Sequence, residues 1–371
     1  MIEPYRMPHG PDKISTLIEP KDNIELELEL KNISKFHQNR LKNKFFNENS
    51  LPDVIVGDIN SDQKLELQKV LISENKAFSH QKLDLGCIHG FRFAINPLDK
   101  NKVSYTPPRT IPPGIKNEAE LEFDKWLQQD LVQKSTSDHN SPVLIIRKGA
   151  KKEARIVIDL RKVNNNTMKE RTPIPNIHSM FYDIGVKIRK SENYFISILD
   201  FSKAYHQMRL EKDSKKFSAF SFRNKSYESN RLLYGFCNAP STWTKMMLRI
   251  FKDLDIKIFF DDVVLISENF DDHLKLLTKF LKRCQAFGLL LDPKKCQFFI
   301  KEAVILGEKF DAFGRKPSDK HIKVISEYPT PTNKKSLKRF LGMVAWVGRH
   351  LKDSSAKLSK LYALTSSKND F

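Results

Sequence analysis

Asp261 and Asp262 stand side by side inside IKIFFDDVVLIS, residues 256–267. β-Branched, leucine and aromatic residues fill both flanks, the composition of strands. Both flanks are short, so the two carboxylates fall at the turn of a hairpin. That turn holds no Gly or Asn, the residues that ordinarily supply the positive φ of a tight hairpin turn. A local rule broken inside a strongly patterned segment often marks function. A third carboxylate, Asp200, ends the apolar run YFISILD at 194–200. If these strands are neighbours in one sheet, three carboxylates converge on one edge. Uncompensated, they repel one another and are costly to bury. A hard divalent cation, Mg²⁺ or Mn²⁺, resolves that conflict. Two such ions about 4 Å apart can activate a 3′-hydroxyl and stabilise a departing pyrophosphate. A bare F-x-D-D also reads as an ordinary turn, where Asp is favoured; the neighbouring segments decide.

The elements that must position these residues follow from periodicity and punctuation. Residues 62–80 carry apolar side chains at partly helical spacing. Residues 103–115 (VSYTPPRTIPPGI) form an extended, proline-rich connector. A helix is predicted over 117–130. Strands at 143–148 and 155–160 flank the basic tip GAKKEA, giving a hairpin with a positive end. Helices are predicted over 241–252, with Ser241 or Thr242 near the cap, and over 271–287, with Leu274, Leu277, Leu281 and Cys284 as its stripe. Two further helices, 318–327 and 334–348, close the chain. His273 begins its helix and reads as a surface residue. His206 reads as a packing or hydrogen-bonding residue. Residues 25–46 mix an alternating run with a basic, helical-looking one.

The 371 residues include 64 Lys and Arg against 45 Asp and Glu, a formal charge of +19. Such a surplus points to a polyanionic partner, nucleic acid before acidic lipid. Nine basic and three acidic side chains fall within 147–171, and twelve basic against three acidic within 315–360. Cys87, Cys237, Cys284 and Cys296 form no C-x-x-C pair, which suits a reduced, intracellular protein without a zinc site. No apolar run reaches transmembrane length, and the N-terminus lacks the apolar core of a signal peptide.

Read in order, the landmarks are RIVIDLRKVN (155–164), ISILDFSKAYHQMRL (196–210), LLYGFCNAPSTW (232–243), IFFDDVVLIS (258–267), LDPKKCQFF (291–299), ILGEKF (305–310) and YPTPTNKKSLKRFLGMVAW (328–346). Together they resemble the reverse transcriptase of LTR retrotransposons, most closely the gypsy-type group, over roughly 62–371. The resemblance implies an α+β right-hand polymerase of fingers, palm and thumb, with an antiparallel palm sheet backed by helices. It implies an uncertain N-terminal segment at 1–61, an extension leading into the fingers at 62–140, fingers and palm at 141–310, and a thumb at 311–371. It implies RNA-directed DNA synthesis from dNTPs on an RNA or DNA template with a primer, using two Mg²⁺ or Mn²⁺ ions.

The same resemblance assigns roles. Asp200, Asp261 and Asp262 match the metal-binding triad, and Phe201 would add its backbone carbonyl. Tyr205 matches the bulky residue beneath the incoming sugar, which excludes a 2′-hydroxyl. Arg155 matches an arginine on the triphosphate, and Lys148 a fingertip lysine with the same task. Tyr234 and Gly235 stand where a bulky residue and a glycine wall the nucleotide, Gly235 letting the backbone approach closely. Asp159 and Arg161 are either mutual structural partners or template contacts. Lys335, Lys338 and Arg339 would track the template–primer backbone, giving salt-sensitive binding without sequence specificity. Three departures stand out. Phe259 replaces a tyrosine, the fingertip lacks the usual Asp-Gly and the Trp before Arg155, and Tyr234 replaces the more usual Phe or Gln.

Protease, zinc-knuckle, RNase H and integrase signatures are absent from this sequence, which therefore reads as a polyprotein fragment or a repurposed copy. The rival to the polymerase is a non-catalytic nucleic-acid-binding remnant. A palm-type nucleotide cyclase fits less well, given the basic thumb and the lack of its Gly-Gly turn.

Overall fold

The computed structural model describes residues 17–18, 51–81, 83–148, 153–172 and 176–366. The runs at 25–46 and the fingertip 149–152 lie outside the described residues. At the centre is a five-stranded sheet in the order Ile256–Phe259, Asp262–Ser267, Phe195–Asp200, Gln297–Ile300, Ile55–Val56. The first four strands run antiparallel and the last joins in parallel. Period-2 alternation covers both faces. Phe195, Leu199, Val263 and Leu265 enter the larger core, with Leu277, Phe280 and Leu281 of the helix Phe270–Ala286. Ile196, Val264 and Ile266 enter a second core, with Met180, Phe181 and Ile184 of the helix Ile177–Lys190. This is the expected antiparallel palm backed by helices. The helix Ile177–Lys190 was not anticipated, nor was the hairpin Phe220–Phe222 with Lys225–Ser229.

The strand Ile55–Val56 lies on the N-terminal side of the expected boundary at 61, yet it completes the palm. It is seated beside a bulge. Residues 196–198 face four residues, Gln297–Ile300, and Phe299 takes a φ of +54° where the extra residue is absorbed. The amide of Gly57 donates to the Phe298 carbonyl at 2.8 Å. A Cβ on Gly57 would lie 2.2 Å from the Phe299 carbonyl oxygen, so a side chain there would collide with backbone.

The fingers hairpin pairs Val143–Lys148 with Glu153–Ile158. It packs against the helix Pro113–Gln128, which starts inside the expected connector because Pro113 is compatible with a first helical turn. The helix expected at 241–252 runs Ala239–Ile250, with Asn238 rather than Ser241 or Thr242 at the cap. At the C-terminal end, a small sheet of Ala303–Ile305, Glu308–Asp311 and Gly314–Pro317 leads into three helices, Asp319–Ser326, Lys334–Gly348 and Ser354–Ala363. The third of these was not expected. It buries no residue. Glu308 is fully buried, with His350 Nε2 at 2.7 Å and the guanidinium groups of Arg349 and Arg315 at 3.7 and 3.8 Å.

His273 is not a surface residue. It is fully buried, with Nε2 2.7 Å from Ser197 Oγ on the central strand and Nδ1 3.2 Å from Ser267 Oγ. Burial, with Lys187 nearby, pushes its pKa down to about 3. The unfolded chain therefore takes up a proton below about pH 6.5 that the folded chain refuses until far lower. Stability should fall as pH drops from 7 to 5, by up to about 1.4 kcal/mol per pH unit for such a group. Urea unfolding at the two pH values checks this. His273→Gln should flatten the dependence, and an unchanged slope would show that the imidazole is not buried neutral.

Candidate active site

The register of the central strands brings the first two carboxylates together. Asp262 lies directly opposite Asp200 on the neighbouring strand, where facing Cβ atoms are about 4.5–5.5 Å apart. Phe259 pairs with Asp262, leaving Phe260 and Asp261 as a two-residue turn. Phe260 has a φ of +53°, and Asp261 is not among the positive-φ residues. Positive φ at the first central position alone is the type II′ pattern. A non-glycine residue there costs on the order of 1–2 kcal/mol. The indole of the fully buried Trp243 donates to the Phe260 carbonyl at 3.0 Å and holds the turn in place.

The electrostatics are those of crowded acids. Burial, followed by the charges of Asp200 and Asp262, pushes the Asp261 pKa up to about 6. Burial and Asp200 raise that of Asp262 as well. Asp261 Oδ1 is buried without a hydrogen-bond partner among the described residues. Among the described residues, Lys295 meets the group. Lys295 Nζ lies 2.9 Å from Asp200 Oδ1 and 3.7 Å from Asp292. Burial works against its charge, but the hydrogen bond to Asp200 and the nearby acids hold its pKa above the ordinary lysine value. Lys295 belongs to the block LDPKKCQFF, yet its role was not legible there, because nothing in sequence places residue 295 beside residue 200. Among the described residues, no group of three His, Cys, Asp or Glu side chains is gathered as a metal cage. The orphaned Asp261 oxygen and the facing carboxylates nonetheless form a hard-oxygen donor set that suits a divalent cation.

Two polar side chains fix the surroundings. Gln207 is fully buried; its amide nitrogen donates to the carbonyls of Ser202 (2.7 Å) and Leu290 (2.9 Å), and its oxygen accepts from the Leu290 amide. It ties the exit of the Asp200 strand to the segment that carries Lys295. Asn164 does the same for the wall. Its Nδ2 donates to the Gly235 carbonyl at 2.8 Å, and its Oδ1 accepts from the Cys237 amide at 2.9 Å.

Around the acids stand three of the expected nucleotide residues. The Tyr205 ring lies 5.3 Å from that of Tyr234 and 5.8 Å from Trp243. The Arg155 guanidinium sits 5.0 Å over Tyr234. Among the described residues it has no carboxylate partner and donates no side-chain hydrogen bond. Burial, then the Asp261 charge, raises the pKa of both tyrosines. Phe201 packs against Trp243 at 5.7 Å. Gly235 has a φ of +110°, but a Cβ there would meet Leu160 and Ile158 only at 3.6 and 3.7 Å. Backbone conformation, not close approach to protein, is what requires glycine.

The other expected residues fall elsewhere. Asp159 and Arg161 form a two-pronged ion pair at 2.8 and 2.7 Å, with Arg109 as a third member, the arrangement of structural partners. Only the backbone of Lys148 is described, at the end of its strand. Lys335, Lys338 and Arg339 line one surface depression on the helix Lys334–Gly348, separate from the acids.

An acidic sheet edge at a strained hairpin, walled by fingers and followed by a helical thumb, defines a right-hand polymerase fold. Comparisons with known proteins agree. Residues 146–345, more than half of the chain, match the reverse transcriptase (RNA-dependent DNA polymerase) family. The chain belongs to the reverse transcriptase family. It is 28% identical over 308 residues to the Pol polyprotein of Drosophila melanogaster transposon 412, covering 79% of this chain and 24% of that one. It is 33% identical over 237 residues to that of transposon 297 from the same fly, covering 62% and 22%. It thus spans about a quarter of the length of these relatives. Among solved structures, the foamy viral protease-reverse transcriptase in complex with RNA/DNA hybrid superposes with a TM-score of 0.72 at 21% identity, covering 97% of this chain and 44% of that one. The same viral protein with double-stranded DNA gives 0.73 at 22% identity, covering 95% and 68%. No helix among the described residues is long and apolar enough to cross a membrane.

The raised pKa of Asp261 makes a signed prediction. Because the folded-state value exceeds the ordinary 3.8, stability is lost as pH rises from about 4 to about 6. Asp261→Asn should therefore stabilise the metal-free protein above pH 6, on the order of 2 kcal/mol, and have little effect near pH 4. Mg²⁺ should raise the melting temperature of the parent chain at pH 8, less so below pH 6, and not that of the variant. Equal Mg²⁺ shifts in both proteins would remove Asp261 from the ligand set.

Proposed function

We propose that this chain is the polymerase portion of a retrotransposon Pol protein and copies an RNA or DNA template into DNA by nucleotidyl transfer from a dNTP to a primer 3′-hydroxyl. The observation that carries the reading is the register that sets Asp200 against Asp262, with the orphaned Asp261 oxygen on the turn beside them. Asp200, Asp261, Asp262 and the Phe201 carbonyl are the residues that would hold two Mg²⁺ ions. When bound, these ions would lower the pKa of the primer hydroxyl and neutralise charge on the departing pyrophosphate.

The chain's own residues do the rest. Arg155 offers a planar fork to the triphosphate, and Lys148 would add a point charge. Tyr205 presents its ring where the sugar would rest, and Tyr234 and Gly235 wall the base side. Lys295 holds Asp200 in an ion pair at 2.9 Å at the edge of the site. Asp159 anchors Arg161, whose outer edge is exposed and free for template phosphate. Lys335, Lys338 and Arg339 supply a basic helix face for the duplex.

Extension of oligo(dT) on poly(rA) with Mg²⁺ tests this directly. Asp261→Asn should abolish extension, a loss of at least about a thousandfold, with duplex affinity equal or higher. Tyr205→Ala should admit ribonucleotides while retaining much dNTP incorporation; unchanged discrimination would return Tyr205 to the core. Neutralising Lys335, Lys338 and Arg339 together should leave activity at saturating duplex largely intact. The slope of log K against log salt should shrink by roughly 0.7–0.9 per lost contact. A parent chain that binds duplex with a steep salt slope but extends no primer with Mg²⁺ or Mn²⁺ would be a binding remnant.

A further inference from the structure

His206 lies behind the nucleotide wall and has no part in the roles above. Its side chain is almost fully enclosed. Its ring meets the Tyr234 ring edge-on, at 5.1 Å and 63°, and the Arg155 guanidinium lies 5.0 Å over the Tyr234 ring. His206, Tyr234 and Arg155 also line one cavity of about 90 Å³, together with Trp126 and Leu233. Tyr234 is 39% exposed, so its outward side faces open space. The ring needs a support from behind if it is to hold one orientation.

The Nδ1 of His206 is buried and has no hydrogen-bond partner among the described residues. Burial, with Lys203, Arg231 and Arg155 around it, pushes its pKa down to about 3, so it does not titrate near neutral pH. The backbone is what fixes it. The His206 amide donates to the Lys203 carbonyl, and its carbonyl accepts from the buried Arg231 at 3.3 Å. Next to it, Gln207 clamps the chain to Leu290. The ring is therefore a firmly placed neighbour in T-shaped contact with the Tyr234 ring.

We propose that His206 is a positioning residue of the nucleotide site. Its ring props Tyr234, and through it Arg155, in the orientation that receives an incoming nucleotide. This rests on the polymerase reading given above. The argument is one of preorganisation: a side chain already held in its bound orientation loses less freedom when the nucleotide arrives. An edge-to-face ring contact is strong enough to change affinity by about three- to tenfold.

Single-nucleotide incorporation at saturating template–primer tests it, alongside equilibrium dNTP binding to the duplex-bound protein in Ca²⁺. His206→Ala should raise both the KM and the Kd for dNTP by about three- to tenfold, with kcat within about twofold and duplex affinity unchanged. His206→Phe keeps a ring edge and removes the orphaned nitrogen, so it should restore most of the loss. A KM in His206→Ala equal to the parent's would overturn the role. So would a fall in kcat, duplex affinity and melting temperature together that Phe fails to rescue, since that marks a merely structural residue. If the parent binds dNTP but extends nothing, the polymerase reading fails, and the Kd comparison still decides the positioning role. A parent that binds no dNTP overturns both.

Discussion

Two carboxylates held opposite each other on adjacent strands are the constraint around which this fold is arranged. The hydrogen-bond ladder sets the register of Asp200 and Asp262, so the repulsion between them cannot be relieved by rotating the chain. Like charges facing each other across a sheet are destabilising, and the third acid, Asp261, adds to the field. The core responds with rigidity. Both faces of the sheet are covered by packed aromatic and aliphatic side chains, and the sheet cannot slip by one residue without turning Leu199 and Val263 toward the wrong core.

The supports converge on the same point from separate elements. Trp243 reaches the turn from a helix, Lys295 reaches Asp200 from the loop before the neighbouring strand, and Gln207 fastens that loop to the strand exit. Trp243 and Gln207 are fully buried, where a missing partner is expensive, while the Lys295 pair stands open to solvent. A site with raised carboxylate pKa values and a left-handed phenylalanine is strained in two independent ways. The surrounding contacts maintain both strains, and such strain concentrates where chemistry needs preorganised charge.

Much of this was legible in the sequence, and for identifiable reasons. The FFDD turn announced itself by breaking the hairpin rule, and Phe260 does adopt positive φ. The central strands and the helices Pro113–Gln128, Phe270–Ala286 and Lys334–Gly348 carried clear periodicity. Much of what escaped lacks a one-dimensional signal, although the helix Ile177–Lys190 carries one in Met180, Phe181, Ile184 and Ile188. His273 looked exposed because it sits near a helix start, yet its partners Ser197 and Ser267 come from two strands. Lys295 and Gln207 act across separations that no spacing rule encodes. The helix Ser354–Ala363 has no buried stripe, and the strand Ile55–Val56 is only two residues long. Asp159 and Arg161 could be read either way from sequence; they form a two-pronged ion pair in which Arg161 still presents an exposed edge.

The C-terminal helices carry a consequence of another kind. Two of the three bury no residue, and the middle one inserts only Leu337, Leu341 and Val344 among its larger side chains. Glu308 adds one buried charge cluster with Arg349 and His350. A unit with so little apolar contact opens locally at a lower free energy than the sheet does. Any polyanion that engages it only when closed adds RT ln(1 + [L]/Kd) to its stability. How firmly this end of the molecule is folded is therefore a property of the solution as much as of the chain. Hydrogen exchange there would act as a gauge of ligand concentration.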